Sequence, residues 1–112
     1  MDFTVLANAV EVDHGIKRVS MRFIKKYAAP SRARLSQELC TKITDALREQ
    51  GLITLPHTLP PDEDAFIFVM ARNSVLGDAA SLSVAIFAMA RFGMLTELKL
   101  EETFPHLAVE AI

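Results

Sequence analysis

The sequence predicts a single α+β domain of 112 residues, built as two layers: an antiparallel sheet packed by two main helices. Three observations support this fold class. Residues 17–23 alternate between apolar and polar side chains, which is the period of a half-buried strand. An apolar stripe from Leu35 to Leu47 has the period of a helix. Paired strand segments precede each predicted helix, and that order favours an antiparallel sheet with helices on one face.

The first predicted element is a hairpin that joins residues 9–12 to residues 16–23. His14 and Gly15 suit its turn, because both tolerate a positive φ better than most residues. β-branched and aromatic residues are frequent in the second segment, and they favour a strand. The same apolar residues also fit helical spacing, so a helix in this region is the alternative.

The next predicted elements are a helix and a short strand. Pro30-Ser31 marks the start of this helix, and Gly51 is suited to its left-handed end. The apolar stripe of the helix consists of Leu35, Leu39, Cys40, Ile43 and Leu47. Residues 52–55 follow as a strand, and a proline-rich acidic loop extends from His57 to Asp64.

Residues 65–71 are seven consecutive apolar residues, which predict a central strand that is covered on both faces or meets another subunit. A helix is predicted to begin at Asn73, Ser74 or Asp78 and to end near Arg91. Because this helix is apolar nearly all round, we expect it to be buried on more than one side. The pattern assigns no element to residues 95–112.

Charge is distributed unevenly along the chain. Residues 14–37 contain seven of the 12 basic residues and no acidic residue, so a segment of +7 accompanies a remainder of −9. A patch of one sign attracts partners of the opposite sign. The predicted partner-binding residues are Lys17, Arg18, Arg22, Lys25, Lys26, Arg32 and Arg34. Solubilising charge is the simplest explanation of such a run, and an acidic protein surface or a nucleic acid is the functional one.

The apolar share of the sequence, 51%, is high for a small monomer, and it indicates a homo-oligomer. The predicted subunit interface consists of Phe66, Phe68, Met70, Phe87 and Phe92. The sequence thus favours a small non-enzymatic interaction protein that self-associates and presents its basic segment to an acidic protein partner.

A nucleic-acid-binding regulatory protein is the alternative function. The segment from Ile43 to Ile53, a loop, and the apolar run at 65–71 resemble a recognition helix followed by a two-stranded wing. Two features oppose this interpretation. The wing tip would carry Asp62, Glu63 and Asp64, which repel phosphate, and no helix can be placed between Tyr27 and Leu35.

The sequence predicts no metal site and no cofactor. His14, His57 and His106 are far apart, and no phosphate-binding glycine loop or nucleophile motif occurs. A small enzyme without a recognisable motif is the second alternative. The lone Cys40 predicts a reducing cytoplasm and a buried thiol. The first residues lack the basic region of a signal peptide, and no apolar stretch is long enough to span a membrane.

Overall fold

The computed structural model describes residues 1–94, 99–103 and 105. Helices pack against a three-stranded antiparallel sheet, which confirms the predicted α+β class. In chain order the elements are α1 (Thr4–Val12), β1 (Ile16–Ser20), α2 (Met21–Ala28), α3 (Gln37–Glu49), β2 (Leu52–Leu55), β3 (Phe66–Ala71), α4 (Val75–Arg91) and α5 (Leu100–Thr103).

Strand β3 is the centre of the sheet, as its apolar sequence predicts. It pairs antiparallel with β1 on one side, where Arg18 lies opposite Phe68, and with β2 on the other, where Ile53 lies opposite Met70. Successive side chains of a strand point to opposite faces. Ile67 and Val69 therefore lie on one face of β3, and Phe66, Phe68 and Met70 on the other.

The core fills the face of the sheet that carries Ile67 and Val69. Helices α1, α2 and α3 supply the other layer of this core, which confirms the predicted packing of helices on the sheet. The buried apolar residues of the helices are Leu6 and Val10 from α1, Met21 and Ile24 from α2, and Leu39, Cys40, Ile43 and Leu47 from α3. Helix α3 thus buries the stripe that its sequence predicts.

The predicted N-terminal hairpin is wrong, because residues 9–12 belong to helix α1. Phe3, Leu6 and Val10 are spaced by three and four residues and are all buried, which is the pattern of a helix with one face against the core. His14 and Gly15 do form a turn with positive φ, at 62° and 98°. This turn joins a helix to a strand instead of two strands.

The alternating segment changes from strand to helix at Ser20, so the strand and the helix interpretations each describe one half of it. The Ser20 hydroxyl accepts a hydrogen bond from the Phe23 backbone N–H at 3.1 Å and caps α2. Beyond Ser20, Met21 and Ile24 are spaced for a helix and are buried. A short capping side chain therefore outweighs the period-two pattern that continues to Phe23.

Helix α3 begins later than predicted. Ser36, instead of Pro30-Ser31, caps it by accepting from the Leu39 N–H at 3.1 Å, and Gly51 follows its end with φ at 77°, as predicted. Helix α2 is the preceding helix that the sequence did not locate, and an eight-residue connection separates it from α3. In chain order, α2 precedes α3, and the antiparallel pair β2–β3 follows it, with β1 beside β3.

Helix α4 lies against the other face of the sheet and begins where Ser74 caps it, one of the three predicted positions. Gly77 allows this close approach. A Cβ atom at residue 77 would overlap the Ala71 carbonyl oxygen and lie 2.7 Å from that of Arg72. The expectation that α4 is buried on more than one side is wrong, because only Gly77 and Phe87 of this helix are buried.

Replacement of Gly77 by alanine should destabilise the protein. The added Cβ has no space beside two backbone carbonyl groups, so α4 must shift away from β3, and we expect the free energy of unfolding to fall by about 1–3 kcal/mol. Urea denaturation measures this change. Ser81→Ala, at an exposed residue of the same helix, is the matched control and should leave stability within about 0.5 kcal/mol of the wild type. Equal stability of the two variants would contradict the close packing at Gly77.

Candidate cationic surface

The seven predicted partner-binding cations do not form one continuous ribbon. Three of them are paired with carboxylates: Lys17 with Asp13 at 2.7 Å, Arg22 with Asp64 at 2.8 Å, and Lys25 with Glu63 at 3.3 Å. The other four are Arg18, Lys26, Arg32 and Arg34. Three residues of the basic segment thus form ion pairs with carboxylates of the described residues, and the other four do not.

The acidic connection between β2 and β3 is docked on the first turn of α2. The Arg22 backbone N–H donates to the Glu63 carbonyl oxygen at 3.0 Å, and the Met21 N–H donates to the Ala65 carbonyl oxygen at 2.8 Å. The side chain of Arg22 donates to Asp64, and this hydrogen bond raises the pKa of the guanidinium group. Two cations of α2 therefore offset two of the three acidic charges at this tip.

Arg18 lies on the face of the sheet that carries Phe66 and Phe68. Its guanidinium carbon lies 4.0 Å from the centroid of the Phe66 ring, a cation–π contact on an exposed aromatic side chain. The guanidinium group remains exposed to solvent. Arg18 belongs to a strand, on a different element from the cations of α2 and of the connection that follows it.

Lys26, Arg32 and Arg34 form what we call the cationic loop surface. They lie at the end of α2 and in the connection to α3, and all three are exposed. Among the side chains that the structure describes in residues 1–94, 99, 100, 102, 103 and 105, no carboxylate forms an ion pair with these three cationic groups. Lys26 contacts the neighbouring Tyr27 ring at 5.9 Å. Within the described residues, this surface carries three exposed positive charges.

The exposed side of α3 begins next to this surface and has a mixed charge. Its first two turns expose Gln37 and Thr41, which carry groups able to donate and accept hydrogen bonds. Lys42 pairs with Glu38 at 3.5 Å. Further along, the exposed charged residues are Asp45, Arg48 and Glu49. The start of α3 is thus polar, and its second half alternates in sign.

A groove of about 190 Å³ runs along β2, between α3 and α4. Its polar lining consists of Thr44, Arg48, Thr54, His57, Arg72 and Ser81. Two guanidinium groups beside hydroxyl groups suit an anion better than a cation. The sequence analysis did not identify Arg48 and Arg72 as residues of one site. Arg48 belongs to α3 and Arg72 follows β3, and the pairing of β2 with β3 brings them to the same groove.

The predicted interface residues fall into two groups in the single chain. Met70 and Phe87 are buried, whereas Phe66, Phe68 and Phe92 are exposed. Met70 lies beneath α4, where it lines a second cavity with Leu55 and Leu76.

The described residues offer no cluster of metal-binding side chains, and the one thiol is buried. Residues 1–94, 99–103 and 105 contain no group of three or more His, Cys, Asp or Glu side chains placed to hold a metal ion. His106 lies outside the described residues. Cys40 is buried in the α3 stripe, and its thiol contacts the Pro60 carbonyl oxygen at 3.8 Å. Burial raises the pKa of this thiol.

Comparisons of the chain with protein-family models, curated proteins and solved structures found no match. None of the helices that the structure describes has the length and apolar character needed to cross a membrane.

Cys40 should be unreactive in the folded protein. Its raised pKa leaves little thiolate at pH 8, and the core excludes the reagent, so we expect iodoacetamide to modify native protein at least tenfold more slowly than protein in 8 M urea. Mass spectrometry of the intact chain measures the extent of modification over time. Equal rates in the two conditions would show that the thiol is accessible in the native state.

Proposed function

We propose that the protein binds a nucleic-acid duplex through the cationic loop surface and the start of α3. The observation that carries this proposal is the position of the surface. It immediately precedes the second helix of the α2–α3–β2–β3 unit, whose helix pair and following strand pair resemble a helix-turn-helix with a wing. In helix-turn-helix proteins the second helix enters the major groove with its N-terminal residues on the base edges. Cations beside the start of that helix are then next to the phosphate backbone.

The residue types at this site suit the two kinds of contact that a duplex requires. Arg32 and Arg34 offer guanidinium groups for phosphate oxygens, which supply most of the affinity and release counterions. Gln37 and Thr41, exposed on the first turns of α3, carry side chains that hydrogen-bond to base edges. Positioning and sequence contacts would therefore come from adjacent parts of one surface.

The ion pairs of α2 remove part of the objection raised by the acidic wing tip. Arg22 and Lys25 lie against Asp64 and Glu63, so the tip carries a smaller net negative charge than its sequence indicates. Phosphate repulsion falls accordingly, since a paired charge has a weaker field at a distance. The wing, in this proposal, contributes little to binding.

An acidic protein partner is the second candidate, and one observation favours it. Glu38, Asp45 and Glu49 share the exposed side of α3 with Lys42 and Arg48. A mixed-sign helix complements a folded protein surface better than a uniform row of phosphates. For either partner, we retain the cytoplasmic location that the sequence predicts.

Duplex binding should depend steeply on salt and on the cationic loop surface. We expect a fluorescent 20-base-pair duplex of random sequence to bind, with an affinity that falls linearly on a logarithmic salt scale. Replacement of Arg32 and Arg34 by glutamine should weaken binding at least tenfold. It should also reduce the salt slope by about 2, because two phosphate contacts are lost. Fluorescence anisotropy between 25 and 200 mM salt measures both quantities.

The matched control is the double variant Lys17→Gln/Arg22→Gln. It removes the same amount of charge, but from two cations that are paired with acids, and we expect a smaller loss of affinity and of slope. Equal losses in the two variants would show a non-specific charge effect. Binding to polyglutamate but not to the duplex would favour the acidic protein partner and refute the nucleic-acid proposal.

A further inference from the structure

Strand β2 lies at one edge of the sheet, and its backbone faces the groove between α3 and α4. In an antiparallel pair, residues whose N–H and C=O groups bond to the partner strand alternate with residues whose groups point away from it. The Arg72 N–H donates to the Gly51 carbonyl oxygen at 2.8 Å, so residue 51 bonds towards β3, and every second residue after it does the same. The N–H and C=O groups of Leu52 and Thr54 therefore point away from β3. No other strand in the described part of the chain pairs with them.

The two edges of the sheet differ in how they are protected against pairing with a further strand. Charged side chains, proline and bulges are the usual means of protection. Strand β1, at one edge, carries Lys17 and Arg18. Strand β2, at the other edge, has the sequence Leu-Ile-Thr-Leu, which contains no charge and no proline. The β2 edge is therefore the one suited to accept another strand.

The groove beside this edge is cationic at one end and apolar at the other. Arg48 and Arg72 both lie at the start of β2, because the Gly51 N–H donates to the Arg48 carbonyl oxygen at 3.0 Å and the Gly51 carbonyl accepts from Arg72. Leu55, at the end of β2, lines the groove together with Val84, and both also line a second cavity of about 200 Å³ that is mostly apolar. Among the described residues that line the groove, none is acidic.

We propose that this groove binds an extended peptide segment of a partner protein, which adds a strand to the sheet at β2 and places acidic side chains beside Arg48 and Arg72. In complexes of this kind, main-chain hydrogen bonds supply the affinity, here through Leu52 and Thr54, and side-chain pockets supply the specificity. Successive side chains of the added strand point alternately towards α3 and towards α4. The two guanidinium groups select carboxylates, and the apolar end accepts an apolar side chain.

A peptide fits this edge better than a second copy of the chain does. The edge lies between two helices, since Thr44 and Arg48 of α3 and Ala80 and Ser81 of α4 line the groove. Strand β2 of a second copy would bring its own two helices to the same place. It would also bring its arginines towards those of the first copy without a carboxylate between them, and such like-charge contacts are unfavourable. A segment without flanking helices meets neither obstacle.

This inference stands independently of the proposed duplex binding. The cationic loop surface precedes α3, whereas the groove uses Arg48, in the last turn of α3, and Arg72, which follows β3. The experiments below contain no nucleic acid, so their failure leaves the duplex proposal standing, and the reverse also holds.

The probe is the synthetic peptide acetyl-Leu-Thr-Val-Glu-Glu-amide. Antiparallel to β2, it places its two glutamates beside the arginines and its leucine at the apolar end of the groove. Nitrogen-15 NMR of the full chain, titrated with peptide up to about 2 mM, measures binding. We expect the chemical-shift changes to concentrate in β2 and in the groove-lining residues of α3 and α4. The same peptide with lysine in place of glutamate should bind at least fivefold more weakly.

Amide hydrogen exchange tests the added strand directly. In the free protein, the N–H groups of Leu52 and Thr54 should exchange faster than those of Ile53 and Leu55, which bond to β3. Saturation with peptide should slow exchange at Leu52 and Thr54 at least tenfold and leave Ile53 and Leu55 nearly unchanged. Unchanged exchange at Leu52 and Thr54 in the saturated complex would overturn the proposal.

Charge-removing variants test the cationic end of the groove. Arg48 and Arg72 are exposed, so Arg48→Gln and Arg72→Gln should fold, which circular dichroism checks. Each should weaken peptide binding about twofold to fivefold, because each removes one partly solvated ion pair with a glutamate. Lys17→Gln, on β1 at the opposite edge of the sheet, is the matched control and should bind as the wild type does. Equal losses in all three variants would contradict the assignment.

Two outcomes would assign the groove to another occupant and overturn the proposal. Binding of benzoate at the same residues, without binding of the peptide, would indicate a site for a small organic anion. A dimer that forms with rising protein concentration in sedimentation velocity, and that slows exchange at Leu52 and Thr54 without peptide, would indicate a second copy of the chain.

Discussion

The rest of the structure depends on the burial of one face of the central strand β3. Ile67 and Val69 are almost completely inaccessible to solvent, and helices α1, α2 and α3 all contribute to the core that covers them. In the described part of the chain the sheet has the order β1-β3-β2, so this strand is hydrogen-bonded on both edges, by β1 and β2. Its position fixes where α2 and α3 lie, and hence where the connection between them meets solvent.

Internal ion pairing decides which cations face a partner. The connection from β2 to β3 folds back on α2, where backbone hydrogen bonds hold it and place Glu63 and Asp64 beside Lys25 and Arg22. Lys26, one residue further along α2, contacts the Tyr27 ring instead. The basic segment is continuous in sequence, but in the fold Arg22 and Lys25 pair with acids. Arg32 and Arg34 lie instead in the connection that precedes α3.

The sequence predicts some elements well because their signals are local. The stripe of α3, its stop at Gly51 and the apolar run of β3 each combine a period with a clear boundary. It predicts α1 and α2 poorly, because two patterns compete there. The alternation around Val19 is a strand signal, yet the Ser20 cap starts a helix within it. The same holds for the candidate site. The sequence identified the seven basic residues, but it did not show which of them form ion pairs in the folded protein.

By itself, the sequence determined the α+β class, the central strand, the helix α3 and the segregation of charge, because periodicity and composition carry these properties. Only the tertiary structure decided which cations pair with the acidic connection between β2 and β3 and which side of α4 is left exposed. Those outcomes depend on contacts between residues some forty positions apart, such as Arg22 with Asp64, and on a sheet pairing order that a local pattern does not encode.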